Sequence, residues 1–158
     1  MFDERPYVLI VEDEKDLAEN IKTIIESSHK YAGITAYSAM DALHILDKHK
    51  TLLGGNKIKC ILLDIKMPGM DGLQFLEEVR KKYKEEIGVI METAYEDDDK
   101  WKRSLRGKVL GYLTKPFTSE QLLETVDDAF EGEEAKKEMK IFAYDQYFEK
   151  YKKYKREE

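Results

Sequence analysis

The chain has 158 residues, 42% of them hydrophobic and 38% charged, which suits one domain with a buried core plus a small extension. The formal net charge of −6 argues against a general nucleic-acid binder, and no apolar run approaches the ~20 residues of a membrane span. The single cysteine, Cys60, cannot form an internal disulfide, and the N-terminus lacks a signal-peptide pattern. We therefore expect a reducing, cytoplasmic location and neither direct DNA binding nor membrane binding.

Short apolar runs alternate along the chain with stretches of helical periodicity. Strands are predicted at 7–11, 33–37, 58–63, 87–92 and 108–113. Helices are predicted at 16–28, from the N-cap Ser38 to about 50, at 72–86, at 97–106 and from Thr118 to about 131. Thr118 and Gln121 have the spacing of a capping box. Strands that alternate with helices predict an α/β, doubly wound parallel sheet, with the flavodoxin-like order 2-1-3-4-5 for five strands.

Charged residues end several of these apolar runs. Glu12 and Asp13 follow the first strand, Asp64 ends the third, and Lys115 follows the fifth. Parallel strands bring their carboxyl ends to one edge of a sheet, where ligands bind. Clustered carboxylates repel one another unless a cation joins them, and Mg²⁺ prefers such oxygen ligands. A nearby lysine supplies a point charge for phosphate.

The order of these pieces carries a family resemblance. The acidic pair Glu12-Asp13 comes first, followed by D-I-K-M-P-G-M-D-G at 64–72, Thr93-Ala94 and Lys115-Pro116. Together they resemble the receiver domain of two-component response regulators over roughly residues 5–131. The resemblance implies a receiver domain at 1–131 with the flavodoxin-like fold.

The resemblance also implies a role for each acid at the predicted site. Asp64 is expected to be the phosphoacceptor. Glu12, Asp13, Asp64 and the backbone carbonyl of Lys66 are expected to bind Mg²⁺ or Mn²⁺.

A second set of residues is expected to respond to phosphorylation of Asp64. By the same resemblance Thr93 and Lys115 contact the phosphoryl group, and Thr93 and Tyr112 form the switch. Tyr112 could also be a plain half-buried strand residue. Lys115-Pro116 is a candidate cis peptide, since the family pattern implies one.

The expected function is that of a stand-alone response regulator. A sensor histidine kinase or a histidine phosphotransfer protein would donate the phosphoryl group to Asp64. The face formed by the helix at 97–106, the fifth strand and the last helix would then bind a downstream protein, or the group would pass on in a phosphorelay. We expect no enzymatic activity beyond self-phosphorylation and slow self-dephosphorylation.

Two other functions fit parts of the pattern. A receiver fold can serve as an interaction or dimerisation module that is independent of phosphorylation. Phosphatases of the haloacid-dehalogenase type also use a strand-end aspartate nucleophile with Mg²⁺. Their motif is D-x-D, however, and here Lys66 occupies the position of the second acid.

Residues 132–158 differ in composition from the rest and predict an amphipathic, charged and aromatic helix. Tyr144, Tyr147, Phe148, Tyr151 and Tyr154 recur at helical spacing and would form one aromatic stripe. An isolated helix with such a stripe is marginal in water. We expect it to pack on the receiver, pair in a homodimer or receive a partner. Binding to a membrane surface is a less favoured alternative, because the segment has eight basic against seven acidic residues. The segment is too short for a second globular domain.

Overall fold

The fold is taken from a computed structural model, which describes residues 4–67, 69–70, 72–84, 86–93 and 109–131, with only the backbone at 112. The predicted helix at 97–106, the Ala94 and Pro68 positions, and the extension at 132–158 lie outside the described residues.

Five parallel strands and four helices make up the described part of the chain. The strands are β1 (Tyr7–Val11), β2 (Ala32–Ala36), β3 (Ile58–Asp64), β4 (Gly88–Thr93) and β5 (Gly111–Thr114). The helices are α1 (Lys15–Ser27), α2 (Ala39–Lys48), α3 (Gly72–Tyr83) and α4 (Ser119–Phe130). The sheet order is β2-β1-β3-β4-β5, so the predicted flavodoxin-like topology is confirmed.

Element boundaries differ from the predicted ones by a few residues. Strands β3 and β4 continue through Asp64 and Thr93, because these residues still pair with the neighbouring strand. Helix α3 ends at Tyr83 rather than near residue 86, since Lys84 takes a left-handed backbone conformation with φ of 52°. Strand β5 begins at Gly111 rather than at residue 108, because its pairing with β4 starts at Gly111, opposite Ile90.

The sheet is covered on both faces, and side chains alternate between the two along each strand. One face packs against α2 and α3 and includes Leu9, Val11, Ile61, Leu63, Val89 and Met91. The other packs against α1 and α4 and includes Val8, Ile10, Cys60, Leu62, Ile90 and Leu113. Burial on both faces explains why the central strands are apolar along nearly their whole length.

Two helices begin with the side-chain caps that their sequences predict. Ser38 Oγ accepts a hydrogen bond from the backbone N–H of Asp41 at the start of α2. At the start of α4, Thr118 Oγ1 accepts from the Gln121 N–H at 3.1 Å, and Gln121 Oε1 accepts from the Thr118 N–H at 2.9 Å. The predicted capping box is therefore confirmed, and it sets the start of α4 directly after the Lys115-Pro116 peptide, which is cis.

No helix in the described ranges has both the length and the apolar character needed to cross a membrane.

Candidate functional site

Four charged residues meet at the carboxyl edge of the sheet: Glu12, Asp64, Glu92 and Lys115. All four lie on the side of the sheet that packs against α1 and α4. Each follows by two positions an apolar residue that is buried on that side. Asp64 and Glu92 are direct partners in the register of β3 and β4. Alternation along four different strands thus places three acids and one lysine on the same face.

Lys115 makes close contacts with all three of these acids. Its Nζ atom lies 3.2 Å from Asp64 Oδ2, 3.5 Å from Glu12 Oε2 and 3.6 Å from Glu92 Oε2. The first two distances are within hydrogen-bond range, and the third is an ion-pair distance. The backbone N–H of Lys115 also donates to the Thr93 carbonyl at 2.9 Å, which fixes where the lysine leaves the sheet.

A group of three acids at this edge has the geometry of a cation site. Glu12, Asp13 and Asp64 each offer one carboxylate oxygen, and these oxygens lie within 4.8 Å of one another. Glu12 and Asp64 are buried, whereas Asp13 is exposed. An all-oxygen, net negative and partly open donor set fits a hard cation such as Mg²⁺ or Mn²⁺.

Burial changes the proton affinity of the groups at this site. Burial, and after it the interaction with the neighbouring Asp64, raises the pKa of Glu12 from 4.5 to about 7. Burial works against the charge of Lys115, but attraction to Asp64, Glu92 and Glu12 outweighs it and raises the pKa of the lysine. Lys115 therefore stays protonated, whereas burial disfavours the charged forms of Glu12 and Glu92.

Glu92 is the residue that the sequence reasoning missed. The sequence pattern predicts only that Glu92 ends the fourth strand, yet its side chain is 0% exposed. Burial raises the pKa of Glu92 from 4.5 to about 8, partly opposed by attraction to Lys115. The signal that could have found it is the one that marked Asp64: a carboxylate that closes an otherwise apolar strand.

The structure places the other expected site residues as follows. The backbone N–H of Lys66 donates to Asp64 Oδ1 at 3.1 Å, and the Lys66 side chain is exposed. Thr93 is buried at the end of β4. Tyr112 lies in β5 with its backbone opposite Met91, and its side chain lies outside the described residues. The cation-binding role of the Lys66 carbonyl stays a prediction.

The connection between β3 and α3 passes very close to the acid at the end of β3. A Cβ atom at Gly72 would collide with the Asp64 carbonyl oxygen and lie 2.8 Å from Ile65 Cα. The Gly72 N–H donates to the Ile65 carbonyl at 3.1 Å, which closes this turn. Glycine at position 72 therefore lets α3 start close against the backbone of Asp64 and Ile65.

A groove of about 570 Å³ extends from the site along β5 and α4. It is lined by Leu113, Thr114, Lys115, Pro116, Phe117, Gln121, Glu124 and Thr125. Lys115 thus belongs both to the acidic site and to the groove.

Comparison with known proteins gives a consistent result. The family model described as response regulator receiver domain matches residues 8–127. A response regulator receiver domain protein from Clostridium thermocellum is 28% identical; the match covers 78% of this chain and 92% of that chain, with a TM-score of 0.68.

Two further solved structures are also similar to this chain. A CheY-like receiver domain protein from Methanospirillum hungatei JF-1 is 31% identical, with 77% and 92% of the two chains covered and a TM-score of 0.63. The chemotaxis protein CheY4 of Vibrio cholerae is 26% identical, with 78% and 97% covered and a TM-score of 0.67.

Proposed function

Because this chain belongs to the family of response regulator receiver domains, a part of two-component signalling, we propose that Asp64 accepts a phosphoryl group and that the modification switches a protein-binding face. The donor would be a sensor histidine kinase or a histidine phosphotransfer protein. The output would be a downstream protein target or onward transfer in a phosphorelay.

One observation carries this proposal: Lys115 Nζ lies 3.2 Å from Asp64 Oδ2, beside a group of acids suited to a cation. A carboxylate whose neighbours are a lysine and a cation site can receive an anionic group that would otherwise be repelled. Asp64 is 7% exposed, so it is sheltered from bulk water yet reachable from the edge of the sheet.

The chemistry assigned to Asp64 is a simple displacement. A carboxylate oxygen of Asp64 forms a bond to phosphorus while the bond from phosphorus to the donor imidazole nitrogen breaks. The nitrogen keeps the electron pair of that bond, and the product on this chain is an acyl phosphate. Lys115 then pairs with one phosphoryl oxygen, and the Thr93 hydroxyl donates to another.

Glu12, Asp13 and Asp64, with the Lys66 carbonyl, would hold Mg²⁺ or Mn²⁺ at this edge. A divalent cation there supplies charge that screens the attacking carboxylate from the phosphoryl oxygens. The fit rests on the oxygen donors and their spacing within 4.8 Å.

The groove beside β5 and α4 supports the switching part of the proposal. Lys115 lines both the site and the groove, so a shift of this lysine onto a phosphoryl oxygen changes the groove wall. Thr93 and Tyr112 would complete the switch: Thr93 moves towards the phosphoryl group, and the Tyr112 ring takes up the space it leaves. A receiver domain at 1–131 with a helical extension at 132–158, in the cytoplasm, belongs to the same proposal.

Phosphorylation by a small donor tests the function directly. The wild-type protein, incubated with Mg²⁺ and acetyl phosphate, should gain the mass of one phosphoryl group in a linkage labile at high pH. Asp64→Asn and addition of EDTA should each abolish the gain. Undiminished labelling of the Asn variant would place the modification elsewhere, and a wild-type protein that takes up no phosphoryl group would favour a phosphorylation-independent interaction module.

A further inference from the structure

Glu92 is a buried acid with unsatisfied oxygen atoms. Its side chain is 0% exposed, and among the described residues neither Oε1 nor Oε2 has a hydrogen-bond partner. A buried polar group without a partner lowers the stability of the fold by about 1–3 kcal/mol, and more when it is charged. An apolar residue would suit this strand position better, so packing alone does not account for the acid.

The position of Glu92 in the sheet relates it to two site residues. Strand β4 lies between β3 and β5, so Glu92 sits between Asp64 on one side and Lys115 on the other. The distance from Lys115 Nζ to Glu92 Oε2 is 3.6 Å. An ammonium group carries three N–H donors, and each of the three carboxylates places one oxygen within 3.6 Å of Lys115 Nζ.

Glu92 differs from the other two partners of Lys115 in one respect. Glu12 and Asp64 belong to the group of acids that can hold a cation, whereas Glu92 does not. Oxygen atoms of Glu12 and Asp64 that bind a cation are no longer fully available to the lysine. Glu92 then remains as its acceptor, from a strand that does not contribute to the cation site.

We propose that Glu92 is a positioning residue, which holds the Lys115 ammonium group beside Asp64 when Glu12 and Asp64 bind a cation. The lysine is thereby kept where it can meet the incoming phosphoryl oxygens instead of turning outward to solvent. The proposal rests on the proposed phosphoacceptor function. The acceptor oxygen of Glu92, rather than its charge, is what the role requires.

Two substitutions at position 92 separate this role from a packing role. Glu92→Leu removes the acceptor, and Glu92→Gln keeps an acceptor oxygen of the same shape. At saturating Mg²⁺, Glu92→Leu should slow phosphorylation by acetyl phosphate about tenfold, whereas Glu92→Gln should restore the rate to within about threefold of wild type. The melting temperature of Glu92→Leu should rise or stay level, because an unsatisfied buried group is removed.

Ile90→Leu is the matched control, since Ile90 lies on the same strand and face and is fully buried. It should alter the melting temperature slightly and leave the rate of phosphorylation alone. A rate for Glu92→Leu equal to wild type would overturn the proposal. So would a rate loss that Glu92→Gln fails to restore.

A double-mutant cycle tests whether Glu92 acts through Lys115. In a Lys115→Met background, Glu92→Leu should cause no further loss of rate; a further loss of about tenfold, as in the wild-type background, would overturn the proposal. The NMR resonances of Lys115 Cε and Nζ in Mg²⁺ give a readout independent of activity. They should differ between wild type and Glu92→Leu.

The resonances also separate this proposal from the proposed function. If the wild-type protein takes up no phosphoryl group, the phosphoacceptor function fails. Lys115 resonances that are the same in wild type and Glu92→Leu would then overturn the positioning role as well, while different ones would support it.

Discussion

Lys115 Nζ donates to Asp64 Oδ2 at 3.2 Å, although the two residues are 51 positions apart in the chain and β4 separates their strands in the sheet. The contact forms because both residues continue the same face of the sheet at its carboxyl edge. It joins the end of β3 to the start of the segment that leads into α4.

Replacement of Lys115 tests that contact. Lys115→Met removes the cation shared by three acids, so we expect phosphorylation of Asp64 to slow by more than about tenfold. The free energy of unfolding should fall by about 1–3 kcal/mol, at or below the smallest losses typical of a broken buried pair, because Glu12 and Glu92 can take up protons. Acetyl phosphate labelling and urea unfolding measure the two effects. Lys59→Met, which removes an exposed lysine on β3, should leave both unchanged.

Substitution of Gly72 tests the close turn under the site. A Cβ atom in Gly72→Ala collides with the Asp64 carbonyl oxygen, so either α3 or the end of β3 must move. We expect a loss of about 1–3 kcal/mol in unfolding free energy, together with slower phosphorylation. Gly55→Ala is the control, since its Cβ would meet only the Thr51 hydroxyl oxygen at 3.2 Å. Equal melting temperatures for the two variants would contradict the prediction.

Stability without divalent cations should depend on pH. The folded-state pKa values of Glu12, about 7, and Glu92, about 8, are raised above 4.5, so the folded protein binds more protons than the unfolded chain between these values. The free energy of unfolding should therefore fall as pH rises from 5 to 8, by up to about 1.4 kcal/mol per pH unit for each proton.

Urea unfolding in EDTA across this range measures the slope. Glu92→Gln should reduce the slope, because one of the two titrating groups is gone. The lowered pKa values of Glu19 and Asp47 act in the opposite direction but only at more acidic pH. A stability that is flat from pH 5 to 8 would contradict the raised pKa values.

The lifetime of the acyl phosphate is expected to be long. The positions two residues after Asp64 and two after Thr93 are Lys66 and Tyr95, and neither side chain is a carboxamide or carboxylate that could orient an attacking water. The Lys66 side chain is exposed, and Tyr95 lies outside the described residues. Lys66→Asn combined with Tyr95→Glu should speed the loss of the phosphoryl group; an unchanged decay rate would count against the idea.

The extension at 132–158 can be tested by truncation. A chain that ends at Gly132 should differ from the full chain in molecular mass beyond the deleted residues, if self-association is involved, or in melting temperature, if the segment packs on the receiver. Light scattering and thermal unfolding provide the two measurements. An unchanged association state together with an unchanged melting temperature would show a free tail.

Much of the fold and part of the site follow from local pattern. Apolar runs bounded by turn residues predicted all five strands, and the alternation of strands with helices predicted the order of the sheet. Parallel strands bring their carboxyl ends together, so the acids and the lysine at those ends could be grouped before any contact was known. Glu12, Asp13, Asp64 and Lys115 are indeed close in the structure.

Glu92 shows what the sequence alone left undecided. A carboxylate at a strand end has two readings, a solvated end or a buried group, and both have the same local sequence. Burial of Glu92 depends on strands and helices far away in the chain, and its closeness to Lys115 depends on the register of β3, β4 and β5. Only tertiary packing removes water from a side chain and brings distant charges together, so only the tertiary structure shows that Glu92 belongs to the site.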